Sequence, residues 1–449
     1  MFRLSNGQAT TKRLKTDAED YKASTNDCIR LHLFDPAKTT SSSWPPTSLS
    51  SSFRPEFTHQ IFGDDEEIVG YKGLAIDIYF SQLDFQAYVE VKFEDKAHGA
   101  TDIVSTLQEH FPGGLTADQK EYMAAVGAAS PPDLLHVGHA LPLPGMKDGV
   151  MVRKINLAGS TQELQALHCR LQPFLLFFID GASFIDAEDN RWELLVATEQ
   201  HDGQETVVGF GTLYTFYAYP DKRRFRLSQI LVLPPFQRHG IGAALLRGSL
   251  TSFAPLQFED PTETLQSLRD LIDLQRAMDC GWLQSAARQV AEGWGASDLG
   301  AGVEEAGGIS GSAAAANTNK VLADAQKKLH ISQHQARRIW EAVLYAQPKV
   351  RTDEGLATLA QLVRKRIEGN SASVKKQAEG KRIFDVAHHG FIMRKCKGRL
   401  PMLPGNGVPV ALENDEQSPE EAEHALAEAL TARIASLDAQ LAKLGVLGK

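Results

Sequence analysis

The chain has 449 residues, which is enough for two or three domains. Hydrophobic residues make up 43% of it and charged residues 23%, as in ordinary globular proteins. The formal net charge of -9 argues against direct binding to nucleic acid and favours a basic partner.

The spacing of the cysteines and the length of the apolar runs exclude further classes of protein. The 4 cysteines are far apart and form no C-x-x-C pair, which argues against a zinc site or a disulfide framework and fits a reducing compartment. The N-terminal "MFRLSNGQATTKRLK" is too polar for a signal peptide. The longest apolar run, at 174–179, is far shorter than the ~18 residues of a membrane span. We therefore expect a soluble intracellular protein.

The first part of the chain shows the alternation of apolar and polar residues that is typical of strands. Strands are predicted over 27–34, 74–80 and 87–93. The Ser/Pro-rich stretch 38–53 predicts a long loop. Together these elements predict a mixed α/β domain over 21–140, behind a flexible tail over 1–20.

Strand patterns become stronger in the middle of the chain. Four segments favour strands: 149–157, 191–200, 206–220 and 226–233. Residues 162–186 predict a helix that passes into irregular structure. Residues 141–275 therefore form a second predicted domain.

The remainder is predicted to be helical. Residues 297–317 are low in complexity and predict a disordered insert. Helical patterns follow at 318–347 and near 356–368. We expect a helical domain over 276–350 and a helical extension over 351–449.

The extension ends in a strongly patterned helix over 418–444. Ser418, Pro419 and Glu421 have the spacing of a capping box with proline at the first helical position. An apolar stripe follows at Leu426, Leu430, Ile434, Leu437, Leu441 and Leu444. Such a stripe predicts a short coiled coil or a docking helix.

The stretch "LPPFQRHGIGAALL" (233–246) joins a strand to a helix through two glycines. Leu233 ends the strand because the proline pair after it cannot continue a ladder, and the helix is predicted to begin near Gly242 or Ala243. Backbone N–H groups at such a helix start favour an anion, and glycines let a phosphate approach closely. A tight connection without a ligand is the alternative.

Two common phosphate-loop patterns are absent. There is no G-x-x-x-x-G-K-[ST] motif, and Gly209 and Gly211 are followed by Tyr214 where the dinucleotide fingerprint needs a third glycine. The remaining pattern, Q-x-x-G-x-G-A over 237–243, resembles the pyrophosphate loop of the acetyl-CoA-dependent N-acetyltransferase superfamily.

Longer segments carry a more specific resemblance. They are "FRPEFTHQIFGDDEEIVGYKGL" (53–74), "FFIDGASFIDAEDNRW" (177–192), "YAYPDKRRFRLSQILVLPPFQ" (217–237), "EDPTETLQSLRD" (259–270) and "AQKKLHISQHQARRIWE" (325–341). In this order they resemble the family of type B histone acetyltransferase catalytic subunits, over roughly 21–292 and 320–347.

The resemblance implies an α/β (α+β) fold whose centre is the mixed sheet of the N-acetyltransferases. It identifies the predicted domain over 21–140 as an N-terminal α/β histone-acetyltransferase domain. It identifies residues 141–275 as the N-acetyltransferase catalytic core, followed by the C-terminal helical domain over 276–350.

The resemblance also implies direct transfer of acetyl from acetyl-CoA to a lysine amine, with no metal. A lysine ammonium has a free pKa of ~10.4, so a base must take its proton. The family's proposed base is the glutamate of an E-D-P motif, here Glu259; a solvated carboxylate is the alternative. Asp260 is a second catalytic candidate, although its spacing to Pro261 and Glu263 predicts a helix cap. Asp180 matches another acidic cleft residue, which assists or binds the amine.

The resemblance assigns acetyl-CoA to three groups of residues. The backbone of Ile230, Leu231 and Val232 would pair with the pantetheine arm like an added strand. The loop would hold the pyrophosphate through Gln237, Arg238, His239, Gly240, Ile241, Gly242 and Ala243. Thr262 and Leu271 would border the rest of the molecule. For Arg238, an exposed surface arginine is the alternative.

The resemblance assigns the protein substrate to two stretches. Asp64, Asp65 and Glu66, in the run "GDDEE", match an acidic segment that holds a basic histone tail. Tyr214, Thr215 and Phe216 match a second tail-contacting stretch. Charge runs are more often solvated loops, but an acidic rim would also speed the encounter with a lysine-rich tail.

The implied biology is acetylation of free, newly made histone H-4 before chromatin assembly. The family's usual partner is a WD-repeat histone chaperone, and the expected location is the cytoplasm and the nucleus. The helix at 331–346 resembles a DNA-reading helix only superficially. Its Arg337 and Arg338 are expected to form ion pairs.

Two other functions stay open at this point. An N-acetyltransferase of the same fold could act on small amines or other proteins, which the acidic run and the second-domain match argue against. A non-catalytic histone chaperone subunit would be favoured by an altered loop or a missing Glu259, and neither is seen.

Overall fold

The computed structural model describes residues 20–36, 49–130, 138–141, 143, 149–201, 204–218, 222–250, 256–258, 261–294, 313–379 and 419–446. The chain divides into two compact units, Met1–Pro261 and Thr262–Lys449. Among the described residues, no helix combines the length and apolar character that crossing a bilayer requires.

Within the described residues, the strands all lie in the first unit. They are β1 (Lys22–Ser24), β2 (Ile29–Phe34), β3 (Leu49–Phe53), β4 (Glu67–Val69), β5 (Tyr71–Lys72), β6 (Ala75–Ser81), β7 (Ala87–Lys92), β8 (Asp95–Lys96), β9 (Leu115–Thr116), β10 (His139–Ala140), β11 (Val150–Asn156), β12 (Trp192–His201), β13 (Gln204–Ala218), β14 (Lys222–Val232) and β15 (Leu256–Phe258).

Helices occur in both units. The first unit has α1 (Thr25–Cys28), α2 (His59–Phe62), α3 (Ile103–Glu109), α4 (Gln119–Ala128), α5 (Gln162–Phe178) and α6 (Ile241–Ser249). The second has α7 (Glu263–Met278), α8 (Gly281–Gly293), α9 (Ala313–Leu329), α10 (Gln333–Tyr345), α11 (Asp353–Glu379) and α12 (Pro419–Lys443).

Two larger sheets organise the first unit. One has five strands in the order β3-β2-β6-β7-β9, and the other has six in the order β10-β11-β12-β13-β14-β15. Alternate residues of β6, Ile76, Ile78 and Phe80, are fully buried on one face, and Tyr79 is buried on the other face toward its C-terminal end. Two short two-stranded sheets, β1-β4 and β5-β8, accompany them.

Both larger sheets share one hydrophobic core with α5. The ring of Phe174 on α5 lies 4.4 Å from that of Phe80 in the five-stranded sheet. Phe210 and Leu231 of the six-stranded sheet belong to the same buried cluster. The division predicted at residue 140 therefore does not coincide with separate cores, and the inner domain limits stay predictions.

The second unit is a helical assembly with its own core. Leu274, Leu283, Leu359 and Leu437 come from four of its helices and are buried together. Leu437 and Leu441 are fully buried, which confirms the predicted packing stripe of α12. The predicted N-cap, Ser418, lies outside the described residues.

Two predicted irregular segments are wrong in part. Within the predicted loop 38–53, Leu49–Phe53 is a strand, because it pairs with β2 in the register Leu31 to Phe53. Within the predicted disordered insert 297–317, residues from Ala313 onward are helical, and alanine has the highest helix propensity.

Two predicted helix starts also need correction. α6 begins at Ile241, one or two residues earlier than predicted, with Gly240 as its N-cap. α7 is capped by Thr262, whose Oγ1 accepts a hydrogen bond from the Leu265 amide at 3.3 Å. Asp260 is therefore not the cap of this helix.

Candidate functional site

Strand β14 has an open edge beside the glycine loop. On one side it pairs with β13 along its length. On the other side it pairs in parallel with β15, with Phe225 opposite Leu256 and Leu227 opposite Phe258. Among the described residues, β14 has no ladder partner on that side beyond Leu227. Its backbone there is free to pair with an extended ligand.

The strand bends at the point where this edge opens. Thr212 pairs with Gln229 and Leu213 with Leu227, so Ser228 is the extra residue of a β-bulge. Two glycines of β13, Gly209 and Gly211, lie opposite this part of β14. A Cβ on Gly211 would lie 2.9 Å from the Gln229 carbonyl oxygen, so the Gly209/Gly211 pair permits a close strand approach.

The glycine loop continues directly from this strand. The Gln237 side-chain amide donates to the Val232 carbonyl at 3.1 Å and ties the loop to the strand end. Arg238 and Gly240 both have positive φ, +66° and +84°. Gly240 has no side chain to cap α6, and the first amides of a helix have no partner within the helix.

This loop fits a phosphate ligand. A Cβ at Gly240 would meet nothing within 4 Å, so the backbone faces open space. The side chains of Arg238 and His239 are exposed there. Uncapped amides, a helix dipole and a nearby arginine are the groups that bind a pyrophosphate.

Asp180 is joined to the acidic run through a histidine. His59 Nε2 lies 3.1 Å from Asp180 Oδ1, and His59 Nδ1 lies 3.6 Å from Glu66 Oε1. Burial of Glu66 would by itself raise its pKa, but hydrogen bonds from Thr58, Asn26 and the His59 amide outweigh it and lower the pKa.

The three residues of the predicted acidic contact therefore differ. Asp64 and Asp65 are exposed, whereas the Glu66 carboxylate accepts from the Thr58 amide at 2.9 Å and from Asn26 Nδ2 at 2.6 Å. The Glu66 carboxylate is therefore used within the chain, whereas those of Asp64 and Asp65 are open to solvent.

The segment that carries Asp180 contacts the open strand. Gln229 of β14 is buried and donates through Nε2 to the Ser183 carbonyl at 2.6 Å. Its Oε1 accepts from Thr212 Oγ1 at 3.1 Å. The structure thus places the 180–183 segment against the strand that runs into the glycine loop.

The second predicted substrate stretch, Tyr214 to Phe216, lies on β13 in a cluster of rings and cations. The Tyr214 ring is 4.6 Å from Trp192, and the Arg191 guanidinium stacks over Tyr214 at 5.0 Å. The Thr215 amide donates to the Arg191 carbonyl at 3.0 Å. Thr215 points to the opposite face of the strand from Tyr214 and Phe216.

Comparison with known proteins gives two family matches. The family model described as "Histone acetyl transferase HAT1 N-terminus" matches residues 21–180. The "Acetyltransferase (GNAT) family" model matches residues 164–255. The second match includes β12, β13, β14, the glycine loop and α6, so these three strands of the six-stranded sheet belong to an acetyltransferase domain.

The relatives of this chain described here share the same protein name. The histone acetyltransferase type B catalytic subunit of Mus musculus is 32% identical over 294 residues, which cover 60% of this chain and 67% of that protein. This chain belongs to the family of type B histone acetyltransferase catalytic subunits. The Homo sapiens relative is 32% identical over 58% of this chain, and the Arabidopsis thaliana relative is 28% identical over 59%.

The match does not span the whole of these relatives. This chain covers 65% of the Rattus norvegicus and Homo sapiens family members and 60% of that from Arabidopsis thaliana. Among solved structures, an aminoglycoside acetyltransferase from a soil metagenome covers 27% of this chain at 17% identity and a TM-score of 0.20. At that score the likeness carries no weight.

Four predicted site residues lie either outside the described residues or in the second unit. Glu259 and Asp260 lie outside the described residues, directly after Phe258 in sequence. Thr262 and Leu271 belong to the second unit, where Thr262 caps α7 and Leu271 is half-buried. The site roles of these four residues stay predictions.

Cysteine chemistry is disfavoured where the thiols are described. Burial raises the pKa of the Cys28 thiol to about 11 and also raises that of Cys169. Burial lowers the pKa of His168 to about 4, so its imidazole is neutral. The adjacent His168 and Cys169 thus form no thiolate–imidazolium pair. Within the described ranges no group of His, Cys, Asp or Glu is placed to hold a metal.

Sequence reasoning did not single out His59 or Gln229. Both stand inside segments that carry the family resemblance, but neither belongs to a motif with a recognised spacing. Their importance comes from contacts between distant parts of the chain. The sequence signal that could have found them is the polar character of both positions beside strongly apolar elements.

Proposed function

We propose that this protein transfers acetyl from acetyl-CoA to lysine amines of free histone H-4 tails. The observation that carries the proposal is the uncapped glycine loop at α6, continuous with the open edge of β14, in a chain of this family. A histone substrate, rather than a small amine, is supported by the exposed Asp64 and Asp65.

In this proposal the chain holds acetyl-CoA by backbone groups. Ile230 to Val232 offer the free strand edge, and the amides from Arg238 to Ala243 receive the pyrophosphate. Bound acetyl-CoA supplies the acetyl group as a thioester. Gln237 keeps the loop and strand in register through its bond to Val232.

We assign proton removal from the lysine ammonium to Glu259, with Asp180 facing the same amine. A carboxylate can accept a proton that the amine must lose before it is nucleophilic. The position of Glu259 in the sequence, directly after Phe258, which pairs with Leu227 of β14, supports this assignment.

The proposed partners follow from charge and family. Asp64 and Asp65 attract the lysine-rich tail, and Tyr214 and Phe216 contact it further along. A WD-repeat histone chaperone would deliver the histone, and the cytoplasm and nucleus are where newly made histone would be met. The basic cluster at 13–16 lies outside the described residues.

A substrate competition assay tests the proposed function. The purified chain is given labelled acetyl-CoA with free histone H-4, nucleosomes or polyamines as rival acceptors. Free H-4 should be acetylated fastest. Preference for polyamines would support the small-amine alternative, and absence of transfer to any amine would support a non-catalytic role.

Gly240→Asp should weaken acetyl-CoA binding tenfold or more. The change puts a negative charge into the open space facing the loop, and a lost charge-assisted contact is worth ~1.5–3 kcal/mol. Calorimetry measures the affinity. Gly99→Asp is the matched control, because Gly99 also has positive φ with nothing within 4 Å. Equal binding by wild type and a folded Gly240→Asp would remove the loop from the site.

Asp64→Lys/Asp65→Lys should raise KM for an H-4 tail peptide on the order of tenfold at low salt, since exposed ion pairs are each worth ~0.2–1 kcal/mol. The effect should shrink with added salt, because exposed charges are screened beyond about 8–10 Å. Glu66 is left intact because its carboxylate holds the local fold.

The control for this charge reversal is Glu94→Lys/Glu109→Lys, which changes the same net charge at two other exposed positions of the unit. Steady-state kinetics at several salt concentrations compares the two variants. If both raise KM equally, the effect is one of net charge and the acidic run has no special role.

A further inference from the structure

The segment from Glu56 to Glu66 is fastened to the end of α5. The amides of Glu56 and Phe57 both donate to the Phe177 carbonyl, at 2.9 and 3.0 Å. Gln60 Nε2 donates to the carbonyls of Leu176 and Ile179, at 3.2 and 3.0 Å. The bonds to Leu176 and Phe177 satisfy carbonyls of the last turn of α5, which lack an intrahelical partner, and the bond to Ile179 reaches the residue after the helix. The segment is therefore fixed relative to the Asp180 backbone.

His59 is the side chain of this segment that reaches Asp180. Its Nε2 lies 3.1 Å from Asp180 Oδ1 and its Nδ1 lies 3.6 Å from Glu66 Oε1. Phe57 adds an edge contact to the imidazole, with ring centroids 5.8 Å apart. The imidazole is thus restrained on several sides.

Glu66 is itself held firmly. Its Oε1 accepts from the amides of Thr58 and His59, at 2.9 and 3.1 Å, and its Oε2 accepts from Asn26. Its backbone takes a positive φ of 50°, which a non-glycine residue adopts only under local constraint. This fixed carboxylate lies on the Nδ1 side of His59, and Nε2 is the ring nitrogen that faces Asp180.

The Asp180 carboxylate needs a neighbouring group that fixes its orientation. Its side chain is 73% exposed, whereas that of His59 is 28% exposed. An exposed aspartate samples several rotamers. A histidine that pairs with it selects among those rotamers before the substrate arrives.

We propose that His59 is a positioning residue that holds the Asp180 carboxylate toward the acceptor lysine amine, with Glu66 orienting the imidazole. This rests on the proposed function, because it gives Asp180 an amine to face. The same arrangement joins the acetyl-transfer site to the acidic run, since Glu66 directly follows Asp64 and Asp65.

A double-mutant cycle tests the coupling of His59 to Asp180. The variants are His59→Gln, His59→Phe, Asp180→Asn and the combination His59→Gln/Asp180→Asn. We expect about a tenfold lower kcat for each His59 variant, with KM for acetyl-CoA and the melting temperature close to wild type. The combination should lose no more kcat than Asp180→Asn alone. His98→Gln, at an exposed histidine, should behave as wild type.

Three outcomes would overturn this inference alone. Additive losses in the combination would show that the two residues act independently. A loss of kcat that follows a lower melting temperature would mean that His59 only stabilises the fold. An Asp180→Asn variant with full kcat would leave His59 nothing to position. A wild-type chain that acetylates no amine would refute the proposed function and this inference together, whereas the other outcomes leave histone acetylation standing.

Discussion

Glu259→Gln should lower kcat for histone-peptide acetylation by ~10²–10⁴ at neutral pH, which is the usual contribution of a positioned general base. Glutamine keeps the size and shape of glutamate but cannot take a proton. Near pH 7 only a small fraction of a lysine with a pKa of ~10.4 is free amine. Acetyl-CoA affinity and the melting temperature should stay near wild type.

The pH profile of this variant is the decisive measurement. The loss should ease as pH rises, because free amine becomes abundant without help from a base. A loss that is constant across pH would mean that Glu259 contributes to geometry or charge instead. If activity is unchanged at all pH values, the base is another group, and Asp180→Asn is the next variant to measure.

Asp260→Ala provides the matched comparison. The structure changes the effect on stability that we expect from this substitution. The sequence predicted a helix cap at Asp260, whose removal would cost about 1 kcal/mol. Because Thr262 caps α7 through its hydroxyl, Asp260→Ala should leave the melting temperature nearly unchanged. A heavy loss of kcat in Asp260→Ala, with Glu259→Gln active, would reverse the assignment of the base.

Elements with a strong local pattern were predictable from the sequence. Period-two alternation identified β6 and β7, and the glycine loop was placed correctly between β14 and α6. These features depend on neighbours in sequence, so their signal is local. The alanine-rich start of α9 also carried a helix signal, which low complexity obscured.

Features that depend on distant partners were not predictable in the same way. The serine-rich β3 has little strand pattern of its own and is a strand because β2 supplies its ladder. Its pairing could not be inferred from composition. The prediction of Asp260 as the α7 cap was wrong, because Thr262, two residues later, is also a good cap residue and caps the helix.

The same distinction applies to the candidate site. The glycine loop and the acidic run are local motifs, so their positions could be predicted from the sequence. The pairing of His59 with Asp180 joins a short helix to the end of α5, and no spacing rule connects the two. The internal use of Glu66 was hidden for the same reason, since its partners include Asn26.

The second unit contains a buried charge network that the sequence did not reveal. Arg433 of α12 bonds Asp270 at 3.2 Å and Glu341 at 3.1 Å, with all three side chains at most 5% exposed. Arg338 also pairs with Asp270, and Arg366 with Glu341. The predicted ion pairing of Arg338 is thereby confirmed. The network ties the C-terminal extension to α7 and α10.

Acid should weaken this network. Burial of Asp270 would raise its pKa, but the ion pairs with Arg338 and Arg433 outweigh it and hold the pKa below 3.8. Because the folded-state pKa lies below the unfolded value, the stabilisation is fully present at neutral pH. It is lost as pH falls below about 4.

Arg433→Met should destabilise the second unit by about 3 kcal/mol at neutral pH, since removing one partner of a buried ion pair leaves uncompensated charge. Methionine retains the apolar stem, so the loss reports on charge. Hydrogen exchange of the full chain should show α10 amides opening about a hundredfold more often, the equivalent of that free energy. First-unit amides serve as the internal reference.

Arg364→Ala is the matched control, because Arg364 pairs with Glu423 on the surface at 45% and 59% exposure. It should cost at most about 1 kcal/mol. Equal losses in the two variants would mean that burial of the Arg433 network adds nothing to the stability of this unit.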